Sequence, residues 1–146
     1  MYSRLPVWAP SAVADPLFRE VPKAVDRAEI DEIIAGYALV AEHCAEGGFD
    51  GIELQCSHSS IVRGFLSPAT NKRTDAYGGS LENRMRLVLE TIDGLRSVMP
   101  SDMPLFTRIS ATDWVDGGWD LEQSVVLAKE MKARGVDLVD VSSGAL

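Results

Sequence analysis

At 146 residues, 46% of them hydrophobic and 25% charged, the chain has the balance of one globular domain with a sizeable core. Fourteen Lys and Arg against 22 Asp and Glu give a net charge of -8, which disfavours non-specific attraction to nucleic acid or an anionic membrane. A small-molecule substrate is the expected partner, with no nucleic acid and no membrane.

Residues 1–25 carry Pro6, Pro10, Pro16 and Pro22 with no sustained period, and each proline biases its predecessor away from helix. They read as an irregular arm that Trp8, Leu17 and Phe18 could pin to a core. Residues 26–146 read as regular structure. Asp26 followed by Glu29 is an acidic capping-box start, and Ile30, Ile33, Ile34, Tyr37, Ala38, Ala41, Cys44 and Ala45 keep helical spacing on one face. The helix stops at Gly47-Gly48. Phe49–Leu54 then reads as a short buried strand that releases into a polar cluster, Gln55-Cys56-Ser57-His58, and a long loop.

Ser80 caps a second helix whose face is Leu81, Met85, Val88, Leu89, Ile92, Leu95 and Met99, ended by Pro100. Leu105–Ile109 is the next strand, in which Phe106, Arg108 and Ser110 face one way and Leu105, Thr107 and Ile109 the other. Asp120, three before Gln123, starts a third helix with Leu121, Val125, Ala128 and Met131 on one face. It ends near Gly135, and Val136–Val141 forms a third strand before Ser142-Ser143-Gly144-Ala145-Leu146. No run reaches the about 18 apolar residues of a membrane span, and the start lacks the order of a signal peptide. Cys44 and Cys56 have no CxxC or zinc spacing, so a cytoplasmic protein without a metal site is expected.

A weak internal repeat pairs Gly48-Phe49-Asp50-Gly51-Ile52-Glu53-Leu54 with Gly135-Val136-Asp137-Leu138-Val139-Asp140-Val141. Helix–strand units without hairpin turns argue an α/β fold with a parallel sheet, either an open sheet or a (β/α)8 barrel. No GxGxxG or P-loop motif occurs. A complete barrel takes about 250 residues, so three strands make a partial (β/α)8 TIM barrel of about three consecutive parallel βα units plus the arm. Its two unpaired sheet edges favour association or a homo-oligomer.

The stretch Phe65–Arg86, FLSPATNKRTDAYGGSLENRMR, resembles the signature of the old yellow enzyme family of FMN-dependent NADH:flavin oxidoreductases. The match rests on Phe65-Leu66-Ser67-Pro68, Asn71, Arg73, Asp75, Tyr77-Gly78-Gly79-Ser80 and Asn83-Arg84. GFDGIEL, RISATDW, GGWDLEQS and GVDLVDVSSG are similar to the same family, so the resemblance covers about residues 30–146, with Trp8 to Val13 a weaker match. It implies the fourth, fifth and sixth strands of an FMN barrel, apparently an internal fragment. It is also similar to the branch with 2,4-dienoyl-CoA reductases and trimethylamine dehydrogenase, where an iron-sulfur cluster belongs to further downstream sequence.

The resemblance implies roles for three residues. Gln55 and His58 match the pair that hydrogen-bonds the substrate carbonyl over the flavin, with Gln where many relatives have His. Arg108 matches the arginine at the flavin's pyrimidine edge; alternatively it is a buried partner for Glu53. Ser60 stands where many relatives carry a proton-donating Tyr, and a serine is a poorer acid. Arg73, Asp75, Tyr77, Asn83 and Arg84 suit a hydrogen-bonded loop staple. Cys56 and His43 are read as packing residues. The implied activity is hydride transfer from NAD(P)H through FMN to an α,β-unsaturated carbonyl alkene. The alternatives are an amine dehydrogenase of the trimethylamine type, or a non-catalytic truncated barrel module. Without the family's first-strand flavin loop, third-strand glutamine and phosphate strands, the fragment alone is expected to hold FMN poorly and to be inactive.

Overall fold

In a computed structural model that describes residues 6–15 and 19–144, the elements run β1 (Trp8–Ala9), β2 (Lys23–Ala24), α1 (Arg27–Glu46), β3 (Ile52–Cys56), α2 (Ile61–Leu66), α3 (Leu81–Val98), β4 (Leu105–Ser110), α4 (Leu121–Ala133) and β5 (Leu138–Ser142). The long helices begin where local chemistry dictates. Asp26 Oδ1 accepts from Glu29 N at 3.0 Å while Glu29 Oε2 accepts from Asp26 N at 2.9 Å, a reciprocal box opening α1. Ser80 and Asp120 likewise accept from Asn83 N and Gln123 N to open α3 and α4. Gly48 (φ 74°) and Gly135 (φ 84°) turn the chain out of α1 and α4 in the left-handed region that glycine enters without strain.

The three main strands form one parallel sheet in the order β3-β4-β5. Leu54, Cys56, Leu105, Thr107 and Ile109 are buried on the side that carries the helices, where α3 packs against both α1 and α4. The opposite side is open: Glu53 and Gln55 are exposed, and Phe106 and Arg108 half-buried. The partial barrel is thus a helix layer on a sheet whose inner face is uncovered.

Several boundaries and faces differ from the sequence expectation. Phe49 lies outside β3 and is 66% exposed, because Phe49 N is used to close the end of α1 on Cys44 O (3.1 Å). The strand begins only where Ile52 N reaches Pro104 O, and it extends through Gln55 and Cys56. β5 starts at Leu138 because Asp137 holds the foot of the ladder: its N–H donates to Leu105 O and its Oδ2 accepts from Leu105 N at 2.9 Å. On α4 the buried stripe is Ser124, Leu127 and Met131, while Leu121 (61%) and Val125 (54%) are exposed on the side away from β4. The arm holds a short parallel ladder, Trp8 opposite Lys23 and Ala9 opposite Ala24, and Trp8 packs on the core. Leu17 and Phe18 lie outside the described residues.

The long loop after β3 contains α2, capped by Ser60 Oγ accepting from Arg63 N at 3.3 Å. Beyond it, Asn71 Nδ2 donates to Phe65 O (2.7 Å) and Tyr77 O (2.8 Å), and Arg73 forks onto Asp75 while its Nη1 reaches Pro10 O (3.0 Å) and Val25 O (2.6 Å) of the arm. Gly78 permits this approach: a Cβ there would stand 2.3 Å from Arg73 O. Arg84 donates to Leu66 O and, at 2.7 Å, to Gln123 Oε1, joining this loop to α4. These are links that no single element could hold alone.

A second tie is buried. Arg63 pairs with Asp113, whose Oδ2 also accepts from Ser67 Oγ (2.5 Å) and Trp119 N (2.8 Å). Both side chains are nearly sealed from water, 4% and 0% exposed, so neither charge can be rehydrated if its partner is lost. Asp113→Ala is therefore expected to cost about 3–5 kcal/mol in urea unfolding, against about 0–1 for Arg27→Ala at an exposed pair. Equal losses for the two would contradict this account of the loop.

Asp75 supplies a pH signature. Hydrogen bonds from Arg73, followed by the N–H of Tyr77, hold its carboxyl below the usual 3.8 despite partial burial. A depressed folded value means that its stabilisation is complete above the unfolded pKa and disappears as pH falls through the folded one. Asp75→Asn is expected to lower the urea midpoint at pH 7, with the gap to the parent closing below about pH 4; a gap independent of pH would count against the Arg73 contact.

Candidate active site

β3 ends in a tight turn that carries the expected polar cluster. Gln55 is still in the strand, and its side chain shares the inner face with its ladder partner Arg108 on β4, which is itself opposite Asp140 on β5. Ser57 is fully buried, and its backbone N–H and hydroxyl both donate to Gln55 Oε1, at 3.3 and 2.6 Å. His58 then adopts φ 53°, an uncommon conformation for a residue with a side chain. Its N–H donates to Ser110 Oγ at 3.1 Å, which holds the turn against the end of β4. Ser60 N closes the turn on Ser57 O at 3.3 Å.

Arg108 has a different neighbour from the one weighed in the sequence. Its Nε lies 3.2 Å from Asp140 Oδ2, whereas Glu53 stands lower on β3 opposite Phe106. The contact lacks hydrogen-bond geometry, and Arg108 Nε is left buried with no hydrogen-bonded partner. The side chain is 39% exposed on the open face. An arginine with unused donors beside one carboxylate can take an acceptor edge of a planar heterocycle.

Gln55 and Arg108 therefore lie side by side, with His58 at the end of the same strand. His58 is half-buried and lines a cavity of about 530 Å³ with Ser60, whose opposite wall is the arm at Trp8 and Pro10. Gln55 and Arg108 are not among that cavity's lining residues; they belong to the uncovered face. The structure brings Gln55 and Arg108 together on the inner face, whereas His58, in the turn after β3, lines the separate cavity on the arm side. Cys56 points to the helix layer, where burial pushes its thiol up to about 12, and His43 is exposed in the last turn of α1 rather than packed.

Three contributors escaped the sequence reading. Asp140, Ser110 and Ser57 have no local signature; each acquires its role from a partner across the ladder or turn. The repeat even misleads for Asp140, aligning it with Glu53, while the ladder aligns it with Gln55. That two-residue offset over two strand steps is informative, since one residue per strand accumulates to the shear of about 8 of an eight-stranded barrel.

Among the described residues, no helix is long and apolar enough to cross a membrane, and no cluster of ligating side chains could hold a metal ion. The NADPH dehydrogenase of Halalkalibacterium halodurans is 47% identical over 141 residues, covering 97% of this chain and 41% of its own. A 2-naphthoyl-CoA reductase structure superimposes with a TM-score of 0.88 at 34% identity, over 96% of this chain and 21% of that one. The old yellow enzyme homologue from Zymomonas mobilis gives a TM-score of 0.85 at 25% identity, over 97% of this chain and 43% of that one. The chain thus spans well under half the length of the proteins it matches, and its strands are part of a TIM barrel of the old yellow enzyme type. Residues 7–146, nearly the whole of this chain, match the NADH:flavin oxidoreductase / NADH oxidase family, and the chain belongs to that family.

Proposed function

We propose that the whole protein reduces the alkene of an α,β-unsaturated carbonyl compound with NAD(P)H, using FMN, and that this chain contributes the substrate-oxygen donors and the cation at the flavin edge. The observation that carries the reading is the single ladder row Gln55–Arg108–Asp140 on the inner face, with His58 in the turn that follows β3. FMN, when bound, supplies a carrier that accepts hydride from the nicotinamide and delivers it to the alkene.

The residues present fit that group at one edge. Arg108, with a buried Nε lacking a hydrogen bond, offers a fixed cation to the pyrimidine side, where negative charge collects on reduction. Asp140 keeps the guanidinium oriented. Gln55 and His58 donate to the carbonyl oxygen, drawing electron density from the alkene so that its β-carbon accepts hydride. Ser60, whose Oγ accepts from Arg63 N at the start of α2, is a poorer acid than the tyrosine many relatives carry, so the α-carbon's proton comes from water or from another donor. The outer edges of β3 and β5, flanked by Phe49 (66% exposed) and Val141 (64%), are where further strands pair in the whole protein.

Replacing the matching segment of the Halalkalibacterium halodurans enzyme with this chain gives a direct assay. The chimera is expected to retain flavin and to reduce 2-cyclohexenone with NADPH. His58→Ala in it should slow enone reduction by about 10²-fold while leaving NADPH oxidation by ferricyanide within a few-fold. A flavin-loaded chimera that oxidises NADPH yet leaves the enone untouched would refute the ene-reduction reading.

A further inference from the structure

The side chain of Gln55 presents two chemically opposite ends, a carbonyl that accepts and an NH2 that donates. Ser57 selects between them. Its backbone N–H lies 3.3 Å from the Gln55 amide atom and its hydroxyl 2.6 Å. A backbone N–H can only donate, so the atom facing it is the oxygen, and the network itself assigns the amide. With Oε1 taken twice by the turn, the NH2 is the end left on the inner face, in the row of Arg108.

The anchor is well fixed. Ser57 is 0% exposed, its carbonyl accepts from Ser60 N, and the next residue is bound to β4 through Ser110 Oγ. An exposed glutamine on a sheet face otherwise keeps much of its rotamer freedom, and that freedom is lost only when partners hold it. We infer that Ser57 is a positioning residue, which locks the Gln55 amide with its NH2 outward and makes Gln55 a donor only. The position then favours a ligand carrying an acceptor oxygen and disfavours one presenting an N–H or O–H there. The ligand class rests on the function proposed above; the orientation of the amide does not.

The sequence offers a clean probe, since Gln55 and Gln123 are its two glutamines. The full chain grown with 15N-glutamine should give two side-chain NH2 pairs. Gln123 is an internal reference, because its Nε2 donates to Asp120 Oδ2 at 2.8 Å, far from the turn. The Gln55 Nε2 order parameter is expected to be about 0.8 in the parent, to fall below about 0.6 in Ser57→Ala, and to recover in Ser57→Thr, with Gln123 unchanged throughout. A mobile Gln55 amide in the parent, or one indifferent to Ser57→Ala, overturns the assignment, and the parent measurement suffices if the variant does not fold. Adding 2-cyclohexenone to the flavin-loaded chimera described above should shift the Gln55 pair, identified there by its loss in Gln55→Glu. If Ser57→Ala frees the side chain but the enone moves nothing, the proposed substrate class fails and the role of Ser57 stands.

Discussion

The register of the parallel ladder is the constraint from which the site follows. Side chains alternate along a strand, so a one-residue slip exchanges the inner face for the helix face along its whole length. With Leu105, Thr107 and Ile109 buried under the helices, Phe106, Arg108 and Ser110 have to face inward. Slipped by one, β4 would drive Arg108 beneath the helix layer, where desolvation without a matched anion costs several kcal/mol. The apolar stripe therefore fixes where the guanidinium goes, and the ladder brings Gln55 and Asp140 beside it.

Loops and arm then convert that row into a rim. The distinctive signature residues hold structure: Arg73 ties the loop to the arm through Pro10 and Val25 carbonyls, Arg84 ties it to α4, and Arg63 with Asp113 fastens α2 to the loop after β4. The residues nearest the proposed chemistry are fewer and less conspicuous. Gln55, His58 and Arg108 are held by Ser57, Ser110 and Asp140, each through a single polar contact or a pair of them. The strained φ of His58 fits this division, because a turn that aims a side chain at a site is where such conformations collect.

Much of the fold was legible because its signals are local. Asp26 with Glu29, Ser80 and Asp120 each announce a helix within three residues, and Gly48 and Gly135 each announce an exit. The inward direction of Arg108 could be read from alternation alone. Features set across the fold could not. α2 is hidden in a loop rich in turn residues, the apolar Phe49 suggests too early a start for β3, and on α4 Met131 belongs to the buried stripe while Leu121 and Val125, which keep helical spacing with it, lie outside. The anion beside Arg108 is Asp140 and not Glu53 on the other neighbouring strand, because the ladder register decides which residues meet.

The register can be measured directly by nuclear Overhauser contacts in the uniformly labelled chain. The account predicts amide-to-Hα contacts that place Gln55 beside Arg108 and Arg108 beside Asp140 in parallel strands. Contacts that instead pair Arg108 with Cys56 or Val141 would put its side chain on the helix face, and contacts that run antiparallel would break the parallel ladder; either result would contradict the account.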